Sequence, residues 1–260
     1  TSNFQLPTSN FQLPPLPASR FSRPTSSVHY PAPMRLGIVS DVHCNHEALL
    51  IALDRMGPVD ELLCAGDAVY QFRFSNEVMR ILRERQARYV LGNHEEVLLG
   101  HWGERARSAD WVSREELHYM AAQPTSIETV VGDKSLVMVH GSPFEPHNEY
   151  IYPNSPSLSR LASIDADYII LGHTHYQMAE RVGRALVINP GSAGEARDAR
   201  NAFRLSYAVL DTATGEVTFD DFADPTRAAV DPSIIPSSSP RERRPGSEST
   251  PPNPNFWTPG

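Results

Sequence analysis

The stretch Leu36-Gly37-Ile38-Val39-Ser40-Asp41-Val42-His43 runs an apolar segment into a polar stop, with Asp41 and His43 two residues apart where the run ends. The arrangement returns four times. Glu61–Ala65 leads into Gly66-Asp67, Arg88–Leu91 into Gly92-Asn93-His94-Glu95, Leu136–Val139 into His140-Gly141, and Tyr168–Leu171 into Gly172-His173-Thr174-His175. Short apolar runs bounded by glycine read as buried strands, and α/β sheets place their chemistry at the carboxyl ends of strands. The five runs therefore point Asp, Asn and His side chains at one sheet edge.

Outward from these runs, the chain alternates strand and helix. Glu47–Met56 is helical in pattern and stops at Gly57-Pro58. A helix over Ser75–Gln86 carries Val78, Ile81 and Leu82 on one face, so the opening is βαβαβ and its sheet parallel. Helical segments follow at Glu95–Leu99 and Ser113–Ala122, the latter with Ser113 and Glu116 in capping-box spacing. The second half reads differently. Ile127–Val131, the turn Gly132-Asp133 and Ser135–Val139 form a hairpin, and pairs around Met178–Asn189 and Leu205–Phe219 are antiparallel too. The expected fold is α/β: a four-layer αββα sandwich of two mixed sheets flanked by helices, in one domain over residues 34–225.

Composition separates that domain from its ends. Of 23 prolines, seven fall in residues 1–33 and eight in residues 226–260, so both ends are expected to be disordered. Residues 1–14 repeat Thr-Ser-Asn-Phe-Gln-Leu-Pro twice, which reads as a processing or expression remnant. The net charge of −8 becomes about −11 over residues 34–225, because both ends are basic. A surface of that sign does not suit a long nucleic acid. Two cysteines, Cys44 and Cys64, make no disulfide framework, and no apolar run reaches the length of a membrane span. The expected setting is cytoplasmic, without a membrane partner.

Carboxylate, imidazole and amide oxygen form a mixed N/O donor set that suits Mn, Fe, Ni, Co or Zn at open geometry. Without thiolates in the pattern, a closed structural zinc site is disfavoured. Two divalent cations roughly 3.5–4 Å apart need an anion between them, and Asp67 is the natural bridge. A lone histidine beside a strand is usually structural, which is the reading for His29, His46, His101, His118 and His147. Joint occurrence reverses it for His43, His140, His173 and His175.

The five ordered blocks resemble the calcineurin-like metallophosphoesterases, in particular the small prokaryotic-type phosphodiesterases and diadenosine-tetraphosphatase-like proteins, over about residues 34–221. The resemblance implies one metal held by Asp41, His43, Asp67 and His175, and another held by Asp67, Asn93, His140 and His173. It implies two divalent transition metal ions, manganese first among them, and attack on phosphorus by a hydroxide bridging them. His94 matches the family's catalytic histidine, and Asn45, Asn93 and His94 are the expected substrate contacts. Agreement extends to His140-Gly-Ser-Pro143 and Asn189-Pro-Gly-Ser192. Three places depart from it: Cys44, where relatives carry glycine; Tyr70-Gln-Phe-Arg73, which is expected to help set the leaving-group pocket; and Glu195–Leu205, longer than usual before the last hairpin. The implied activity is hydrolysis of a phosphodiester or small nucleotide, and a homo-oligomer is compatible with it. A noncatalytic scaffold of the same fold is the alternative, and the presence of His94 beside a full ligand set argues against it.

Overall fold

In the computed structural model, residues 32–227 are described. The expected disordered ends, 1–33 and 226–260, fall almost wholly outside them, as does His29. Strand β1 (Arg35–Val39) is followed by α1 (His46–Met56), β2 (Glu61–Cys64), α2 (Asn76–Glu84), β3 (Arg88–Tyr89) and α3 (Asn93–Leu99). Short helices α4 (Glu104–Arg107) and α5 (Arg114–Ala121) precede the hairpin of β4 (Ser126–Val131) and β5 (Lys134–Val139). Then come α6 (Pro156–Arg160), β6 (Tyr168–Ile170), β7 (Gln177–Val182), β8 (Ala185–Pro190), β9 (Leu205–Asp211) and β10 (Glu216–Phe222).

The strands form two five-stranded sheets, ordered β10-β9-β1-β2-β3 and β4-β5-β6-β8-β7. Each has a parallel core, β1-β2-β3 in one and β5-β6-β8 in the other, and the hairpin strands add antiparallel edges. Strand alternation explains the layering. Leu36 and Ile38 face Leu136, Met138, Ile170 and Ile188 between the sheets, whereas Val39 and Cys64 pack outward on α1 and α2. Val137, Val139 and Ile169 pack outward under Leu158 of α6. The order helix, sheet, sheet, helix is the expected four-layer sandwich, with a thin fourth layer. Hairpins β4-β5 and β7-β8 need no helical crossover, so α6 and the turn at Leu161–Ser163 supply most of it.

Three local readings need correction. The third strand is two residues rather than Arg88–Leu91, because the Leu91 amide turns away to the Pro124 carbonyl at 2.8 Å and the chain enters α3. That helix begins at Asn93 instead of Glu95, which places Asn93 and His94 in its first turn. The capping box at Ser113 is half formed: its hydroxyl accepts from the Glu116 amide at 3.3 Å, but the Glu116 carboxylate takes Arg83 at 3.1 and 2.7 Å. A two-pronged guanidinium pair outcompetes a bond to a single amide. The Ser113 amide goes to Asn76 Oδ1 at 2.8 Å.

Candidate metal centre

Every strand that carries a polar block delivers it to the same edge, where the two sheets meet. Asp41 follows β1, Asp67 follows β2, His140 follows β5 and His173 follows β6, all at most 5% exposed. The turns are unusual. Asp41, His43, Asp67, His173 and His175 have φ of 54, 48, 51, 68 and 60°, the left-handed region that non-glycine residues avoid. Such strain, of order 1–3 kcal/mol per residue, persists where surrounding structure enforces it, as it does at functional sites. Here the enforcement is visible. The amides of Asp41 and His43 donate to the carbonyls of Gly66 and Asp67 at 3.0 Å each, locking the first loop to the second. Asn189 Nδ2 donates to the Gly172 carbonyl at 2.6 Å and Ser192 Oγ to the Asp41 carbonyl at 2.8 Å.

The two aspartates are set the same way. Asp41 spends Oδ2 on the His173 amide at 3.0 Å and turns Oδ1 toward His175 Nε2 at 3.1 Å and His43 Nε2 at 3.8 Å. Asp67 spends Oδ1 on the His94 amide at 2.9 Å and turns Oδ2 toward His140 Nε2 at 3.2 Å and His94 Nε2 at 3.7 Å. Close approach explains two motif glycines: a Cβ at Gly92 would collide with the Asp67 carboxylate, and one at Gly172 with Ser40 Oγ.

Two groups of donors result, Asp41-His43-His175 and Asp67-His140-His173, and His43-Asp67-His94 forms a third overlapping set. Asn93 joins the second group, its Oδ1 3.1 Å from His140 Nε2. The imidazoles are oriented from behind. His140 Nδ1 donates to the Ala65 carbonyl at 2.8 Å and His175 Nδ1 to that of Glu195 at 2.6 Å, which leaves Nε2 as the inward donor atom of each ring. Burial brings His43 down to about 4 against the pull of Asp41 and Asp67, and burial with the His140 charge brings His173 to about 4, so both rings are neutral. For His140 burial is outweighed by Asp67 and Asp41, which raise it to about 10. Burial alone would raise both aspartates, but the facing imidazoles hold Asp41 and Asp67 below the usual carboxylate range.

These residues fit divalent cations. Asp41 Oδ1, His43 Nδ1 and His173 Nε2 are buried without a hydrogen-bond partner, and two imidazole Nε2 atoms, of His43 and His175, face each other at 3.2 Å. A cation supplies what such an arrangement lacks.

The structure brings together all seven residues expected to hold metal and places His94 beside them. Asn45 is differently engaged: it caps α1 through the Ala48 amide at 3.1 Å and ties down Gly194 and Asp224 through Nδ2. Sequence reading gave Glu95 no role, yet it is fully buried and accepts from the amides of Asp67, Val69 and Gly92 at 3.0, 3.0 and 2.7 Å. Its signal was the third position of a helix opened by glycine, the acidic half of a capping box. Burial and the Asp67 charge raise its carboxyl to about 7. Tyr70 packs on His43 and His94, at 4.5 and 5.3 Å between ring centres, and donates to Glu195 at 2.8 Å. Arg73 lies over Tyr70 and donates to the His43 carbonyl at 3.0 Å. Cys44 donates its thiol to the Arg73 carbonyl at 3.1 Å, consistent with a small residue packed beside the centre.

Among the described residues, no helix is long and apolar enough to cross a membrane. The chain is 26% identical over 214 residues to an uncharacterized protein, MJ0912, of Methanocaldococcus jannaschii, covering 68% of this chain and 82% of that one. Its fold matches a metallophosphoesterase from Sphaerobacter thermophilus at a TM-score of 0.61 and 28% identity, over 75% of this chain and 90% of that one. A hypothetical protein, PH1004, from Pyrococcus horikoshii matches at 0.61 and 17% identity, over 74% and 89%, a likeness of fold. Residues 34–215 match the model of the calcineurin-like phosphoesterase superfamily domain, and with strand-end donors arranged as described, the chain belongs to that family.

Proposed function

We propose that the protein is a dinuclear metal-dependent phosphodiesterase acting on small phosphodiesters or nucleotides. The observation that carries this reading is the pair of donor groups linked by the overlapping set His43-Asp67-His94. One metal would be held by Asp41, His43, Asp67 and His175, the other by Asp67, Asn93, His140 and His173. Manganese is the first candidate and Fe, Ni, Co or Zn are others. When bound, the two ions would make a water-derived nucleophile available near neutral pH and offset phosphate charge.

The chain's own residues do the rest. His94 accepts from the Gln71 amide at Nδ1, at 3.0 Å, which leaves Nε2 as its hydrogen-bearing nitrogen. Nε2 lies 3.7 Å from Asp67 Oδ2, where its N–H would hydrogen-bond to the departing oxygen as negative charge develops there. Arg73 and Arg197 flank the centre but are engaged, one by the His43 carbonyl and Tyr70, the other by Glu195. With its flanking cations committed, the site suits a monoanionic diester better than a dianionic monoester. Tyr70-Gln-Phe-Arg73 borders the leaving-group side.

The test is reconstitution with Mn²⁺ and turnover across phosphodiesters of graded leaving-group pKa. Two ions per chain and hydrolysis of an activated diester are expected. His94→Gln should lower kcat/KM by roughly 10²–10⁴-fold for alkyl or nucleoside leaving groups, and by less for nitrophenyl. Equal losses for all would make His94 a phosphate-positioning residue. Fewer than two ions with no turnover would favour the noncatalytic scaffold instead.

A further inference from the structure

The centre has an aromatic border that lies in none of the five sequence blocks. Tyr150 and Tyr152 are 48% and 39% exposed, while Ile151 between them is 2% exposed and packs with Val137, Val139 and Leu158. That alternation puts both tyrosines on one face of an extended segment. Their rings are nearly parallel, 7° apart, with centres separated by 6.0 Å. The Tyr150 ring lies against the His173 imidazole at 3.8 Å, and Tyr152 meets Tyr176 edge-on at 5.2 Å. An aromatic strip thus begins on a candidate metal donor and runs outward from it.

The strip is braced. Glu149, just before it, takes Arg160 at 2.7 Å and the Ser142 hydroxyl, and the Ser155 amide donates to the Tyr152 carbonyl at 3.1 Å. Arg200 covers Tyr176 at 5.0 Å. Exposed aromatic surface held in place beside a polar centre marks a ligand-binding face. Flat rings of this kind stack on any nucleobase.

We propose that Tyr150 and Tyr152 form a stacking platform for a nucleobase, so that the phosphoester held at the centre is a nucleotide ester. The proposal rests on the phosphodiesterase reading and names its substrate class. Continuity identifies the occupant: a phosphate at His173 leaves its sugar and base to extend over the adjoining surface, which is this strip. The charge of about −11 over residues 34–225 favours one nucleotide over a polymer.

The decisive comparison is AMP against ribose 5-phosphate, titrated into the Mn²⁺-loaded protein by calorimetry, with metal content measured for every variant. The ligands share phosphate and sugar and differ by the base. AMP should bind about tenfold or more tightly, in line with base–aromatic stacking elsewhere. Tyr152→Ala and the double variant Tyr150→Ala/Tyr152→Ala should remove that advantage, and Tyr152→Phe should retain it. Because Tyr150 touches His173, Tyr152→Ala separates lost stacking from lost metal. Equal binding of the two ligands, no binding of either, or an advantage that survives the double substitution overturns the platform. Turnover of methyl and thymidine 5′-nitrophenyl phosphodiesters separates the two readings. Hydrolysis of neither refutes the phosphodiesterase, whereas equal kcat/KM for both refutes the platform alone.

Discussion

The two donor groups use the same side-chain chemistry and divide it the same way: burial keeps His43 and His173 neutral, while facing aspartates raise His175 and His140 against their burial. In the first, His43 Nε2 and His175 Nε2 meet at 3.2 Å, with Asp41 Oδ1 3.1 Å from His175 Nε2. In the second, His140 Nε2 lies 3.2 Å from Asp67 Oδ2 and 3.1 Å from Asn93 Oδ1, so oxygens rather than a second imidazole face it. The first group therefore sets two nitrogen donors face to face, which a cation resolves, whereas the second surrounds His140 with oxygens that favour its proton, which a cation has to displace. Asp67 connects them, since it also lies within the His43-Asp67-His94 set.

The hardest blow to this difference is Asp67→Asn. If one carboxylate serves both groups, metal content should fall at both together and turnover by roughly 10³-fold, several kcal/mol of lost charge stabilisation. Metal analysis beside activity checks it, and two tightly bound ions with full activity would show that the groups are independent. By contrast, His175→Ala should empty the first group and spare the second.

Glu95→Gln sharpens the contrast at smaller scale. Glu95 braces Asp67 and Gly92 through their amides, and an amide side chain cannot accept from all three donors as a carboxylate does. Affinity at the second group should fall about 10–100-fold, with a loss of roughly 1–3 kcal/mol in stability to urea. Unchanged affinity would make Glu95 a folding residue only.

The smallest effect is in pH. His140 rises from 6.5 to about 10, so in the metal-free protein its pairing contributes stability that is fully present below pH 6.5 and lost as pH rises through 10. Metal binding runs the other way: it displaces that proton, so affinity at the second group should climb about tenfold per pH unit between 6.5 and 10. Calorimetry in buffers of different ionisation enthalpy should detect one proton released at pH 7.5 on filling this group. No release would remove the distinction between the groups.

Much of this was readable from residue order. Each strand ending in a polar block was visible because burial on both faces makes a continuous apolar run, and glycine marks its end. The hairpin at Gly132-Asp133 was visible from its two-residue turn, and it pairs Val131 with Lys134. The end of β3 was not, because Leu91 remains buried after its amide leaves the sheet and so still reads as strand. The fate of Glu116 was equally hidden: Arg83 lies 33 residues away and on another helix.

By itself, the sequence determined which residue types end each strand, since apolar periodicity and turn chemistry are local and survive in a one-dimensional string. It determined the layer order as well, through the change from helical crossovers to hairpins. Only the tertiary structure decided what those residues became. The left-handed turns at Asp41, His43, Asp67, His173 and His175 exist because loops from both sheets lock one another, and the His140 imidazole is raised because β2 brings Asp67 beside it. The Tyr150–Tyr152 strip borders the centre because Ile151 is anchored outside the second sheet. Distances and electric fields between segments far apart in sequence are set by packing, and no local pattern encodes them.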